Sequence, residues 1–380
     1  MAATASILEP GLPADYYAPD FLVKVESQQL DRASKGDVIS VKVTMDLENM
    51  TSAQLTINNW DDRTFDLKYT DTKTFDVGNR VHVQLGYADR LVSMLHGQIS
   101  TMAPSFPESG QPTLDITVLD GMLKLRDRKP AEGETKKYVD QADWEIVRAV
   151  AARNGMQAIV AEEGEKHPEV IQKNQDDASF LMERAKRMDF DCYVQTDPGS
   201  GEEKLHFERP TDARDGSTVR VYEFIWGKSL ISFAPVLTLS RQVSAVTVQG
   251  WDARTKASIS VRATAADLPG AAGSGTSGPA AAETSLDGKE DVVVDAPVHT
   301  EQEARELAIS LLRERAYDFV TGTGRVIGIP DLRPSDNVDL SGLGKRFSGR
   351  YYVKKVEHTL GASGYFTEFD VRRVYDGGVS

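Results

Sequence analysis

Between Phe21 and Leu119 the chain breaks into short runs of alternating character: "FLVKVES", "DVISVKVTMDL", "SAQLTINNW", "NRVHVQLGY", "SMLHGQIS" and "TLDITVLD". Each is rich in β-branched residues and is punctuated within a few positions by Gly, Asn, Asp or Pro. Period-two alternation over runs this short suits half-buried strands, and the close punctuation points to an antiparallel sandwich or barrel.

After a charged connector from Arg126 to Lys137 the pattern changes. "DWEIVRAVAARNGM" places Trp144, Val147, Val150 and Ala151 at helical spacing, with Asn154-Gly155 as the stop. "DDASFLMERAKRM" predicts a second helix capped by Asp176 or Asp177. "FDCYVQTD" and "KLHFERP" then read as a strand pair around the turn "PGSGEE". Strands return with "VRVYEFIWG" and "QVSAVTVQGWD". The Gly/Ser/Ala-rich stretch from Leu268 to Ser285 buries too little to offset its ordering entropy and reads as flexible. A helix over 301–320 follows, opened by a Thr300/Glu303 capping box and carrying Ala304, Leu307, Ala308, Leu311, Leu312 and Phe319 as an apolar stripe. The expected organisation is an arm (1–20), a first β domain (21–125), an α+β module (126–212) and a second β domain (213–380). The last contains a flexible insertion (268–290) and the helix.

The first and last β regions share a weak internal repeat. Asn79 matches Asn337, Val81 matches Val338 across a gap, and Leu85-Gly86 matches Leu343-Gly344. Ile99 matches Val356, and Thr113 and Val118 match Thr367 and Val371. Upstream, Val38–Thr44 echoes Val243–Gln249. The chain closes on the hairpin "GRYYVKKVEHTLGASGYFTEFDVRR". Its second strand puts Tyr365, Thr367, Phe369 and Val371 on one face, and Tyr365, Phe369 and Val371 are expected in the barrel core. Its first strand is two-faced, with Tyr351 and Val353 opposite Tyr352, Val356 and Leu360. These five are the candidate contacts with another subunit or with the α+β module.

The bulk numbers and the motifs exclude more than they assign. A net charge of −14 and a pI near 5.0 disfavour an electrostatic nucleic-acid binder. The one cysteine, Cys192, cannot form an internal disulfide and is expected buried in a strand. No run approaches the roughly 18 apolar residues of a membrane span, and no signal peptide is read at the start, so synthesis and assembly are expected in the cytoplasm. Six histidines include neither HExxH nor a Cys partner; a His82/His96 pair across a hairpin reads as solvent-facing strand histidines rather than a metal site. "GTGRVIG" and "GLGKR" lack the context of nucleotide loops, and the second reads as a hairpin turn. Asp61-Asp62 and Glu162-Glu163 are adjacent carboxylates without a cleft. No catalytic, cofactor or metal residue is assigned.

Taken together, "QGWD", "EARELAISLLRERA", "GTGRVIGIPDLRPSDNVDLSGLGKRFSGRYYVKKVEHTL" and "GYFTEFDVRR" resemble the phage late control D family of baseplate hub proteins, found in contractile tails and injection systems. The hub part of type VI secretion spike proteins is similar. The likeness extends over nearly the whole chain and is densest from Thr321 to Arg373; it departs at Ser335, where such hubs commonly carry glycine. It implies a β-rich α+β fold with two tube-like antiparallel β-barrels and the small α+β module between them. It also implies a homotrimer of pseudo-sixfold symmetry, joining a hexameric tail tube to a separate trimeric spike among other baseplate proteins. No enzymatic activity, cofactor, nucleic acid or membrane insertion is expected. The parent particle, whether phage, tailocin or extracellular injection system, stays open. A tail-tip peptidoglycan hydrolase, motivated by the many carboxylates, and a carbohydrate-binding tail module, motivated by Tyr16, Tyr17 and Trp60, are the alternatives.

Overall fold

The computed structural model describes residues 5–8, 18–88, 90–129, 136–211, 219–252, 255–268, 275–294, 296 and 298–378. Tyr16 and Tyr17 lie outside them. The first strand region forms β1 (Pro19–Val25), β2 (Val38–Asp46), β3 (Ser52–Asn58), β4 (Arg80–Tyr87), β5 (Arg90–Ser105) and β6 (Thr113–Leu119). They lie in the order β2-β3-β6-β5-β4-β1, every neighbour antiparallel. Alternation along each strand buries one row, including Val41 and Val43, Leu55 and Ile57, and Val81 and Val83, in a single apolar core.

The middle module contains β7 (Lys136–Gln141), α1 (Asp143–Arg153), β8 (Gln157–Val160), β9 (His167–Gln172), α2 (Asp177–Met188), β10 (Asp191–Thr196) and β11 (Glu203–Glu208). Helix α1 buries Ile146, Val147, Val150 and Ala151, whereas Trp144 is half-buried. Helix α2 opens on Asp176, whose Oδ1 accepts from Ser179 N at 2.8 Å. Both helices pack against the sheet β8-β11-β10, where Leu205, Phe207 and the buried Cys192 complete a separate core.

The remainder supplies β12 (Val219–Ile225), β13 (Leu230–Leu237), β14 (Ala245–Asp252), β15 (Ala257–Thr264), α3 (Gly278–Ser285), β16 (Glu290–Val293), α4 (Glu301–Tyr317), β17 (Val320–Ile327), β18 (Asn337–Ser341), β19 (Gly349–Gly361) and β20 (Gly364–Arg373). Strands β15-β14-β16 form a small sheet packed on α4 through Val246, Val261, Leu307 and Leu312. The others lie in the order β13-β17-β20-β19-β18-β12.

That order reproduces the first half strand for strand. The correspondence extends to irregularities. Ser100 is an extra residue between the rungs Ile99–Val118 and Thr101–Thr117, and Lys354 is extra between Val353–Val371 and Lys355–Asp370. Ile39 is extra between Val38–Ile57 and Ser40–Thr56, and Ile231 between Leu230–Val326 and Ser232–Arg325. Laying Ser100 on Lys354 brings Val118 onto Val371 and Val81 onto Val338, and carries Ile39 onto Ile231 without further adjustment. Bulges are placed features of a sheet, and two at matching rungs mark a duplicated unit. The edges differ: β1 runs antiparallel to β4, whereas β12 runs parallel to β18.

Several expectations change. The proposed echo of Val38–Thr44 in Val243–Gln249 fails, because those residues lie in or beside β14 of the small sheet; the counterpart of β2 is β13. Ile99 aligns with Val353 rather than Val356, and Thr113 with Phe366 rather than Thr367. Within the segment expected to be flexible, 278–285 is helical, capped by Ser277 and burying Ala282. Helix α4 stops at Tyr317, so Phe319 joins the β core instead of the helical stripe. "GLGKR" contains a helical turn, Gly344–Phe347, within the connection from β18 to β19.

Candidate functional site

The two halves meet through one strand. At its start β19 pairs with β18, and farther on Lys355 to Leu360 pair with Asp46 to Val41 of β2, so the halves share a continuous sheet. Among the described residues this path stays open-ended. The bulge at Lys354 explains the two-faced hairpin. An extra residue inverts the alternation, so Tyr351, Val353 and Val356 all enter the second-half core instead of splitting across the sheet. Phe369 and Val371 lie in that core as well. Tyr365 does not: it lies in the first-half core, its ring 5.7 Å from Tyr87, because the hairpin tip has crossed the joint. Leu360 is partly buried against the same core.

Tyr352 is left facing the other way. Its ring packs with Leu47 and Tyr193, Arg372 lies 4.7 Å over it, and its hydroxyl bonds to Asp191 of β10. Of the five candidate contacts, then, Tyr352 reaches the α+β module, Leu360 the other half, and three the local core. A second tie runs through Ser335, whose φ of 73° lies in the left-handed region that favours glycine. Its hydroxyl accepts from Tyr193 at 3.1 Å, and its carbonyl accepts from Thr211 at 2.8 Å.

Beside β19 the loop between β17 and β18 presses on the β4–β5 hairpin. Tyr87 donates to the Gly328 carbonyl at 2.7 Å, and Arg90 forks onto Asp331 with two bonds of 2.8 Å. The buried Arg333 donates to the Ser93 carbonyl at 3.0 Å and to Pro330 and Leu332 of its own loop. Next to it His358 is wholly buried, with its Nε2 3.2 Å from the Leu332 carbonyl and its Nδ1 3.1 Å from both Thr367 Oγ1 and the Tyr365 hydroxyl. Burial, reinforced by Arg333, pushes the imidazole down to about 3. Burial pushes the Asp336 carboxyl up to about 7. Arg333 Nε is left without a partner among the described residues, but the bonds from its two terminal nitrogens and from His358 hold the halves in one relative placement. The motif search missed Tyr87, Arg90, Asp331 and Arg333; the unusual density of charge in "PDLRPSD" was the only signal.

Other polar clusters are self-contained. His82 and His96 do meet across β4 and β5, their rings 5.5 Å apart, and burial pushes His82 down to about 4. No group of three or more potential metal ligands occurs among the described residues. Asp143, His167 and Arg184 edge a cleft of about 270 Å³ beside α4. Burial raises the Asp143 carboxyl, but bonds from His167 and Arg184 outweigh it and hold it below the usual range. Asp120 and Glu203 edge a second cleft of about 250 Å³ between β6 and the module. Burial, with Glu203 nearby, pushes Asp120 up to about 7, and its oxygens accept from Thr51 N and Met122 N at 3.0 Å.

Known proteins place this architecture. A family model described as the Alg8 N-terminal domain matches residues 18–362. No curated protein matches in sequence. Among solved structures, the chain is similar to the 43 kDa tail protein of prophage MuSo2 from Shewanella oneidensis at 15% identity and a TM-score of 0.69, covering 94% of this chain and 100% of that one. It is also similar to a tail protein from Neisseria meningitidis at 12% identity and a TM-score of 0.66, with 94% and 97% covered. An Escherichia coli type VI secretion component, described as structurally similar to T4 tail proteins gp27 and gp5, matches at 12% identity and a TM-score of 0.58, with 92% and 76% covered. The chain therefore has a phage tail-protein fold.

Proposed function

The chain belongs to the Alg8 N-terminal domain family, and from its tail-protein fold we propose that it is a structural baseplate hub of a contractile tail or injection particle. Three copies would present six similar β units in a ring, each unit curved as a segment of tube wall or a small barrel. Such a ring matches a hexameric tube on one side and a trimeric spike on the other. The observation that carries the reading is the duplication, rung for rung and bulge for bulge. A chain that must meet sixfold and threefold neighbours gains from two near-equivalent surfaces held in fixed relation. The buried cluster around Arg333 and His358 supplies that rigidity.

Nothing in this reading requires a catalytic step. Glu162 and Glu163 are each held by an arginine, Arg148 at 2.6 Å and Arg209 at 2.7 Å. Among the described residues, Asp120 and Glu203 are a carboxylate pair with raised pKa values in a cleft, which gives the hydrolase alternative its footing. Backbone amides, including Gly121 N at 2.5 Å from Glu203, occupy most of their oxygens. Peptidoglycan zymography of the wild type and of Asp120→Asn discriminates: no clearing is expected, and clearing lost in the variant would favour the enzyme. The hub reading is tested by sedimentation of the purified chain with tube and spike proteins from the same gene cluster. A three-chain species is expected, whereas a monomer binding neither would overturn it.

A further inference from the structure

The joint inside the chain is made by the distal part of β19 lying on β2. Each strand has a counterpart in the other half, and among the described residues both counterparts lack a neighbour on one side. Thr101 to Ser105, matching Lys355 to Thr359, pair with β6 alone among the described residues. Ser232 to Leu237, matching Ser40 to Met45, pair with β17 alone. Apolar groups sit exposed on both edges: Phe106 is 63% exposed and Val236 55%. Phe106 occupies the place of Leu360, which packs against the first-half core across the internal joint.

Resting on the hub reading, we infer that a second copy of this chain docks head to tail by repeating the internal joint, Thr101–Phe106 of one copy running antiparallel along Phe233–Thr238 of the next. Transferring the register places Met102 opposite Leu237, Ala103 opposite Val236 and Phe106 opposite Phe233. The Phe106 ring then enters the second-half core of the neighbour, beside Phe233, which is already packed on that core. The surface is heterologous, so successive copies form a ring or a filament rather than a twofold dimer.

One rung is unusual. Leu47 N donates to Lys354 O at 3.2 Å, so by alternation Val43 and His358 form a bonded rung of the internal ladder. Its counterpart is Pro235 opposite Pro104, which have no N–H to give. The copy-to-copy ladder therefore lacks one rung and is weaker than the internal one. The same prolines guard both edges of a lone chain against indiscriminate strand pairing.

Ala103 and Val236 form a non-bonded rung, where Cα atoms approach to about 4.5 Å, within disulfide range. The native Cys192 is buried, and burial pushes its thiol up to about 12, so it stays silent. Full-length Ala103→Cys and Val236→Cys chains are oxidised separately and mixed, at the highest soluble concentration, and resolved on non-reducing gels. Neither alone should cross-link, the mixture should give two-chain species, and the double variant should close into a three-chain band removed by reductant. Phe106→Asp should weaken association at least tenfold without changing the thermal midpoint of the dilute, dissociated chain, since the ring is exposed there. Cross-linking of either single variant would show a twofold contact and overturn the inference. No cross-link in the mixture while the wild type still sediments as a trimer overturns the joint and leaves the hub. A wild type that stays monomeric without cross-linking overturns both.

Discussion

Tyr352 carries the contact between the last hairpin and the α+β module, and its hydroxyl–carboxylate bond to Asp191 is the decisive atom pair. Tyr352→Phe keeps the ring stacked under Arg372 and is expected to cost about 1.5–3 kcal/mol, as for a hydrogen bond to a charged group. Urea unfolding measures it, and a loss below the error of the fit would place the energy in packing alone. His358 gives a pH-dependent reading. Its folded value is about 3, against 6.5 for the free group, so its neutral form is favoured by folding. The stability it supplies is complete above pH 6.5 and drains away as pH falls toward 3. Asp336, raised from 3.8 to about 7, acts in the opposite sense: its contribution is complete below 3.8 and is lost as pH rises toward 7. The two partly cancel in the wild type, so the test is a difference. Between pH 7 and pH 5, the stability advantage of wild type over His358→Gln should shrink by about 2 kcal/mol; an unchanged gap would mean His358 titrates normally. Sequence alone flagged Ser335, because a glycine was expected there, and its positive φ supplies the reason. The Lys354 bulge left no such mark, since an extra residue changes register without changing composition.

At the scale of elements, the joint divides into a backbone ladder and a side-chain cluster of unequal weight. The Arg90–Asp331 fork lies at the surface, and Arg90→Ala is expected to cost no more than about 1 kcal/mol. Deleting Lys354 should be far worse. Without the bulge the rungs beyond it shift by one residue, which turns either Tyr351 and Val353 or Val356 and Leu360 out of their cores. Loss of near-ultraviolet dichroism with retained far-ultraviolet signal is the expected outcome; an unchanged spectrum would contradict the assigned register. Helices α1, α2 and α4 were legible from spacing and caps, because one-sided burial at period 3.6 is a local property. In α4 the Thr300 hydroxyl accepts from Glu303 N as expected, but Glu303 reaches back to His299 N rather than Thr300 N. The repeat was legible where strands are long and bordered by turns, and Val81–Val338 and Val118–Val371 are correct pairs. It failed for Val243–Gln249, since any half-buried strand shows the same alternation and only pairing tells β13 from β14.

Across the whole molecule, two duplicated sheets, one module and one joint give a chain whose unmatched edges lie where its internal joint would be repeated. The strand order and the joint could not be read from sequence, because Val41 and Leu360 are neighbours only through a ladder spanning most of the chain. Tyr365 shows the consequence: its pattern marks it as a core residue, but not as a residue of the other half's core. Of the carboxylates that suggest chemistry when read in isolation, Glu162 is bound to an arginine of its own module, and Glu203 accepts from Gly121 N across the boundary with the first half. In the hub we propose, three such chains form a ring of six near-equivalent units. Electron cryomicroscopy of the purified chain assembled with its spike tests it most directly. A closed three-chain ring in which β5 of each copy lies beside β13 of the next is expected; a monomer on the spike, or a ring with any other number of chains, would rule out the proposed hub.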